Sequence, residues 1–125
     1  MSRRILVIDD HEDNRHILRD LLENASYEVI EAVTGEEGVV FAETHVPDLI
    51  LMDIQLPDFD GYEATRRIKS MPAVRHVPVI VVTSYALSGD EVKALRAGCD
   101  AYVTKPFSPR ALLAKVKEYL EPATA

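Results

Sequence analysis

Residues 49–57 read Leu-Ile-Leu-Met-Asp-Ile-Gln-Leu-Pro. Four consecutive apolar side chains run straight into a carboxylate, and a proline follows soon after. A run this short, bounded this way, reads as a β-strand. It lacks the polar–apolar alternation of a half-solvated strand, so both of its faces need cover. That describes an inner strand of a parallel sheet sandwiched between helices. Working outward, Ile5-Leu6-Val7-Ile8 and Val79-Ile80-Val81-Val82 have the same continuous character, while Ala101-Tyr102-Val103 is a fifth, shorter candidate. Tyr27-Glu28-Val29-Ile30 alternates more and is predicted nearer a sheet edge.

Helix signals fill the gaps. Ile17, Leu18, Leu21, Leu22 and Ala25 form an apolar stripe at helical spacing. Thr34 with Glu37, and Ser88 with Glu91, fit capping boxes that open a second and a fourth helix. Asp60 can cap a third helix that ends before Pro72, Gly98 is placed to end the fourth, and Ser108-Pro109 opens a fifth. Five βα units in succession imply a parallel sheet with right-handed crossovers, hence an open, doubly wound α/β domain. In that architecture the functional site lies beyond the carboxyl ends of the strands.

Composition narrows the function classes. The 125 residues suit one domain, with 47% hydrophobic and 28% charged residues, a globular balance. The net charge of −7 argues against nonspecific binding to DNA or to an anionic membrane. Its distribution is uneven: 16 acids and 8 bases up to Thr83, then 5 acids and 6 bases. A single cysteine, Cys99, excludes an internal disulfide framework and fits a reducing cytoplasm; it reads as a buried small apolar residue. No stretch reads as a signal-peptide core or a membrane span.

The strand ends carry the chemistry. Asp9 and Asp10 follow the first strand, Asp53 the third, Thr83 and Ser84 the fourth, and Thr104, Lys105 and Pro106 the fifth. Taken singly, each aspartate reads as a helix cap or a solvated group. Taken together, three carboxylates on one rim repel, by about 4 kcal/mol per pair 4 Å apart at an effective dielectric of 20. A hard divalent cation relieves this, and Mg²⁺ accepts a few carboxylates together with water and phosphate oxygens. Lys105 and the Thr83 hydroxyl would match a phosphoryl group on the opposite side. Asp53, the most central carboxylate, can then act as nucleophile and form an acyl phosphate. The Lys105–Pro106 bond is either an ordinary trans turn or a cis bond that holds the lysine toward the rim. His11 reads as an exposed loop histidine, with an approach to the metal as the alternative; His16, His45 and His76 read as surface residues.

The acidic pair in ILVIDD, the segment LILMDIQLPDFDGYE, the hydroxyl in VVTS and the stretch TKPF resemble the receiver domain of two-component response regulators. The resemblance covers nearly the whole chain, with its landmarks in order. It implies a flavodoxin-like strand order 2-1-3-4-5 and a receiver domain over residues 1–121, with 122–125 a short tail. It implies that Asp53 is the phosphoacceptor, that Asp10 is the principal ligand of Mg²⁺ (or Mn²⁺), and that Asp9 acts directly or through a metal-bound water. The main-chain carbonyl of Gln55 would be a further ligand. Thr83 and Lys105 would contact the phosphoryl group. Tyr102 would be the aromatic switch that turns inward as the threonine moves, changing the face of the fourth helix, fifth strand and fifth helix. The implied donor is a histidine kinase or a histidine phosphotransfer protein. Gln55 stands where many relatives carry asparagine, and Tyr85 is bulky where others are small or acidic; both bear on the lifetime of the phosphorylated state.

No output module is legible after the fifth helix. The expectation is therefore a stand-alone cytoplasmic, bacterial regulator that signals through protein contacts, as a monomer or weak dimer, and is not an enzyme. A receiver excised from a hybrid kinase or larger regulator would read the same. A haloacid-dehalogenase-type phosphatase wants a second acid two residues after its nucleophile, where this chain has Gln55. A flavin-binding flavodoxin wants a glycine- and hydroxyl-rich phosphate loop where this chain has Asp9-Asp10-His11-Glu12-Asp13. A receiver that signals without phosphate would not need Asp53, Asp10, Thr83 and Lys105.

Overall fold

The computed structural model describes residues 3–83 and 90–121, without the side chains of 83 and 90–92. Five strands and five helices alternate: β1 (Arg4–Ile8), α1 (Glu12–Asn24), β2 (Glu28–Ala32), α2 (Gly35–His45), β3 (Leu49–Met52), α3 (Gly61–Lys69), β4 (Val79–Thr83), α4 (Asp90–Ala97), β5 (Ala101–Thr104) and α5 (Pro109–Leu120). The strands are all parallel, in the order β2-β1-β3-β4-β5. This is the expected doubly wound fold, with β2 at an edge.

The continuously apolar strands work as the sequence implies, because successive side chains point to opposite sheet faces. Leu6, Ile8, Ile50, Met52, Val79 and Val81 meet Ala42 of α2, Ala64 and Ile68 of α3, and Ala94 and Ala97 of α4. The intervening Ile5, Val7, Leu49, Leu51, Ile80 and Val82 meet Leu18 and Leu22 of α1 and Leu112, Val116 and Leu120 of α5. Every one of these strand residues is buried.

Most helix ends follow the predicted chemistry. Thr34 Oγ1 accepts from the Glu37 N–H at 3.0 Å, Asp60 from the Glu63 N–H at 2.9 Å, and Ser108 from the Ala111 N–H at 3.3 Å. Gly98 follows α4 with φ of +99°, a conformation that suits glycine. Residues 84–89, which include Ser88 and Tyr85, lie outside the described part of the chain, as do 122–125.

Some details differ from the sequence reading, among them β1, which starts one residue early at Arg4. Ile17 is 54% exposed, so the α1 stripe narrows to Leu18 and Leu22 with partial cover of Leu21 and Ala25. β2 starts one residue late and ends two residues late, at Ala32: the Tyr27 N–H donates to the Leu22 carbonyl at the end of α1, and this buried residue's hydroxyl donates to the Glu121 carboxylate after α5. β4 and β5 each run one residue further than predicted, through Thr83 and Thr104, which pair with one another.

Candidate functional site

Register brings the acids together. Ile8 of β1 pairs with Met52 of β3, so Asp9 and Asp53 leave the sheet side by side. The Asp53 N–H donates to the Ile8 carbonyl at 2.9 Å, and the Asp9 N–H to Ala32 at 3.1 Å. Both carboxylates are buried, Asp9 at 2% and Asp53 at 7% exposure, while Asp10 faces solvent. One ligand atom from each of Asp9, Asp10, His11 and Asp53 falls within 4.8 Å of the others.

Burial, and then the neighbouring Asp9 charge, push the Asp53 carboxyl above its ordinary pKa; Lys105 and the backbone N–H groups of Gln55 and Ile54 pull it back in part. Two neighbouring buried carboxylates are costly as an isolated pair. Their cation partner is Lys105, just after β5, whose Nζ lies 3.4 Å from Asp9 Oδ2. The Lys105–Pro106 bond is cis. The donor set is oxygen-rich, charged and open to water through Asp10, which suits a hard divalent cation.

Sequence reasoning missed the residues that hold this cluster. Arg15 of α1 donates from a guanidinium nitrogen to the Asp9 carbonyl at 3.0 Å, while its Nε pairs with Glu31 at 3.1 Å. Glu31 also pairs with Arg19 at 2.8 Å. The loop after Asp53 is anchored at both ends. Asp58 accepts from the Gly35 and Glu36 N–H groups at the start of α2, both at 2.8 Å. Gly61 donates to the Ile54 carbonyl at 2.8 Å. A Cβ on Gly61 would stand 2.2 Å from the Asp53 carbonyl oxygen, so α3 starts hard against the end of β3. A local signal for Gly61 exists, a glycine directly after a capping aspartate, but Arg15 and Asp58 act on partners far along the chain.

The remaining expected residues divide. Gln55 is exposed in the loop between β3 and α3. Thr83 closes β4 beside Thr104, the residue before Lys105. Tyr102 is half-buried on the α4 side of the sheet and lines a cleft with Ala94, Leu95 and Cys99. His11 is exposed, as expected, yet its Nδ1 reaches Asp10 Oδ1 at 3.0 Å and Asp9 Oδ1 at 3.3 Å. His16, His45 and His76 are exposed, and Cys99 is buried. Among the described residues no helix is long and apolar enough to cross a membrane.

Comparison with known proteins gives a consistent result. A family model described as the response regulator receiver domain matches residues 5–117. The polar-differentiation response regulator DivK of Brucella ovis is 42% identical over 120 residues, which is 96% of this chain and 98% of that protein. A CheY-like receiver domain protein from Methanospirillum hungatei superimposes with a TM-score of 0.90 at 38% identity, covering 97% of this chain and 95% of the other. The receiver domain of the sensor histidine kinase PA1611 from Pseudomonas aeruginosa superimposes at 0.89 with 35% identity, covering 96% and 98% of the two chains. That structure holds a magnesium ion coordinated in its active-site cleft.

Proposed function

The chain belongs to the response regulator receiver domain family, and on that premise we propose that Asp53 accepts a phosphoryl group from a phosphohistidine and that the chain signals by the resulting change of surface. The observation that carries this reading is the pairing of buried Asp53 with buried Asp9 at the strand ends, with Lys105 3.4 Å from Asp9. An Asp53 carboxylate oxygen attacks phosphorus, a P–O bond forms as the P–N bond breaks, and the imidazole leaves with the electron pair and takes up a proton. Asp9, Asp10, Asp53 and the Gln55 carbonyl would hold Mg²⁺ (or Mn²⁺). When bound, that ion supplies charge neutralisation for the phosphoryl oxygens.

The protein's own part is positional. Arg15 fixes the Asp9 backbone, Gly61 and Asp58 fix the loop after Asp53, and the N–H groups of Ile54 and Gln55 orient the nucleophile. Lys105 and the Thr83 hydroxyl receive the phosphoryl oxygens. A displaced Thr83 leaves room that Tyr102 takes, which re-forms the face of α4, β5 and α5, the surface we assign to the downstream protein partner. This is a shift between two packings biased by one local charge. The ladder pairs Val81 with Tyr102 and Thr83 with Thr104, which sets Tyr102 within two residues of Thr83 across neighbouring strands. We read the receiver as spanning 1–121. We read the chain as a cytoplasmic receiver, monomeric or weakly dimeric, that acts on protein rather than DNA or membrane and turns over no substrate beyond its own acyl phosphate.

Incubation with acetyl phosphate and Mg²⁺ tests the reading. The intact mass should rise by one phosphoryl group, and EDTA should abolish the gain. A gain that EDTA leaves untouched would contradict the metal assignment. Sustained release of phosphate from added phosphomonoesters would instead support a phosphatase.

A further inference from the structure

His11 stands at the mouth of the acidic pocket, on the residue that precedes α1. Helix-capping side chains accept hydrogen bonds from the first turn, but the His11 ring makes no such bond. Its recorded partners lie the other way. Nδ1 is 3.0 Å from Asp10 Oδ1 and 3.3 Å from Asp9 Oδ1. The His11 backbone N–H also donates to Asp9 Oδ1 at 2.8 Å, which ties the residue to the pocket from main chain and side chain at once.

Resting on the reading of this pocket as a divalent-cation site, we propose that His11 Nδ1 is itself a ligand of the bound cation and that it turns the pocket into a mixed nitrogen–oxygen site favouring Zn²⁺ over Mg²⁺ relative to an all-oxygen pocket.

The spacing carries this. Around an octahedral ion with bonds of about 2.1 Å, neighbouring ligand atoms lie about 3.0 Å apart and opposite ones about 4.2 Å. The two distances from Nδ1 to carboxylate oxygens match neighbouring positions. The four ligand atoms, from Asp9, Asp10, His11 and Asp53, lie within 4.8 Å of one another, close to the opposite-ligand span. The same ring nitrogen reaches both carboxylates, so it stands at the space they border. With its proton on Nδ1, the ring donates to those oxygens. With the proton on Nε2 alone, the Nδ1 lone pair faces the space they border. The ring is 61% exposed, so Nε2 can keep its proton in water.

The chemical consequence concerns selectivity. Mg²⁺ demands oxygen ligands and gives up its waters reluctantly. Imidazole suits Zn²⁺ and its neighbours, and the general order of divalent affinities already favours them at nitrogen-containing sites. Replacing one water by an imidazole nitrogen should therefore gain much for Zn²⁺ and little for Mg²⁺. Lys105 sits on the other oxygen of Asp9, Oδ2, and so leaves the His11 side of the carboxylate free for this arrangement.

Mn²⁺ is the spectroscopic probe. Pulsed EPR of the Mn²⁺-loaded protein should show modulation from a directly bound ¹⁴N, and His11→Ala should lose it. Competition of Mg²⁺ and of Zn²⁺ against Mn²⁺ gives the two affinities. The Zn²⁺-to-Mg²⁺ ratio should fall about tenfold or more in His11→Ala and His11→Gln, since even outer partners of a metal site carry that much. His16, His45 and His76 remain in every variant, so adventitious binding to them cancels in the comparison. Absence of ¹⁴N modulation in the wild-type protein, its persistence in His11→Ala, or an unchanged affinity ratio would overturn the proposal. Mass gain from acetyl phosphate and Mg²⁺ without a nitrogen signal would defeat the His11 ligand alone. Failure of Mn²⁺ to bind together with failure of the mass gain would defeat the underlying receiver reading as well.

Discussion

Gly61 shows how little room the nucleophile's loop has. Its missing side chain lets the start of α3 touch the Asp53 carbonyl, and Gly61→Ala would press a methyl into main chain that cannot yield without moving Asp53. The variant should lose about 3 kcal/mol or more in chemical denaturation, the upper range for overpacking, and lose Mg²⁺-dependent phosphorylation with it. Asp53→Asn should act in the opposite direction on stability. Burial and Asp9 hold the Asp53 carboxyl above its ordinary pKa, so at neutral pH its ionised form weakens the metal-free fold. That effect is absent below the unfolded-state pKa and grows as pH rises through the folded one. The metal-free variant should melt higher than the wild type at pH 7, and the gain should be gone at pH 3. A thermal melt at both pH values checks this. The acids and Lys105 were legible because each stands within two residues of the end of an apolar run. Arg15 and Asp58 were not, because their partners lie on other elements: Glu31 on β2 for Arg15, and the first turn of α2 for Asp58.

At the scale of elements, side-chain period did most of the specifying. The unbroken apolar runs of β1, β3 and β4 divide residue by residue between two helical layers, and the fold class follows from that alone. Boundaries were less legible, since Tyr27 could be a strand residue by composition, yet its N–H donates to the Leu22 carbonyl at the end of α1 and its hydroxyl to Glu121, far along the chain. Ile17 has the right helical spacing for the core yet stays outside it, beside Phe107 and Pro106 in a groove between α1 and the loop after β5. The end of α2 holds a strain that sequence reading did not reveal. Val46 closes the helix at φ of 43° and ψ of 69°, a left-handed conformation that β-branched residues resist. Its side chain is 45% exposed, so little packing is lost on replacing it. Val46→Asn should raise stability by about 1 kcal/mol, measured as a higher urea midpoint at unchanged slope.

Across the whole molecule, the chain is closed by a contact between Tyr27, just before the edge strand, and Glu121, just after the last helix. Burial, and then the hydrogen bond to Glu121, push the Tyr27 phenol from 10.0 up to about 12. The folded state therefore holds this proton more tightly than the unfolded one. The associated stability is complete below pH 10 and is lost as pH rises toward 12. Denaturation midpoints across that window should fall less steeply in Tyr27→Phe. The charge pattern also resolves at this scale: of the 16 acids up to Thr83, Asp9, Asp10 and Asp53 form one pocket, while others such as Asp58 and Asp60 serve as helix caps. The central claim is that Asp53 in this pocket is the phosphoacceptor. Reductive trapping with borohydride after treatment with acetyl phosphate and Mg²⁺, followed by peptide sequencing in a mass spectrometer, reads it out directly. Homoserine at position 53, absent from Asp53→Asn, is the predicted result. Trapped product at another carboxylate, or an equal yield in Asp53→Asn, would contradict it.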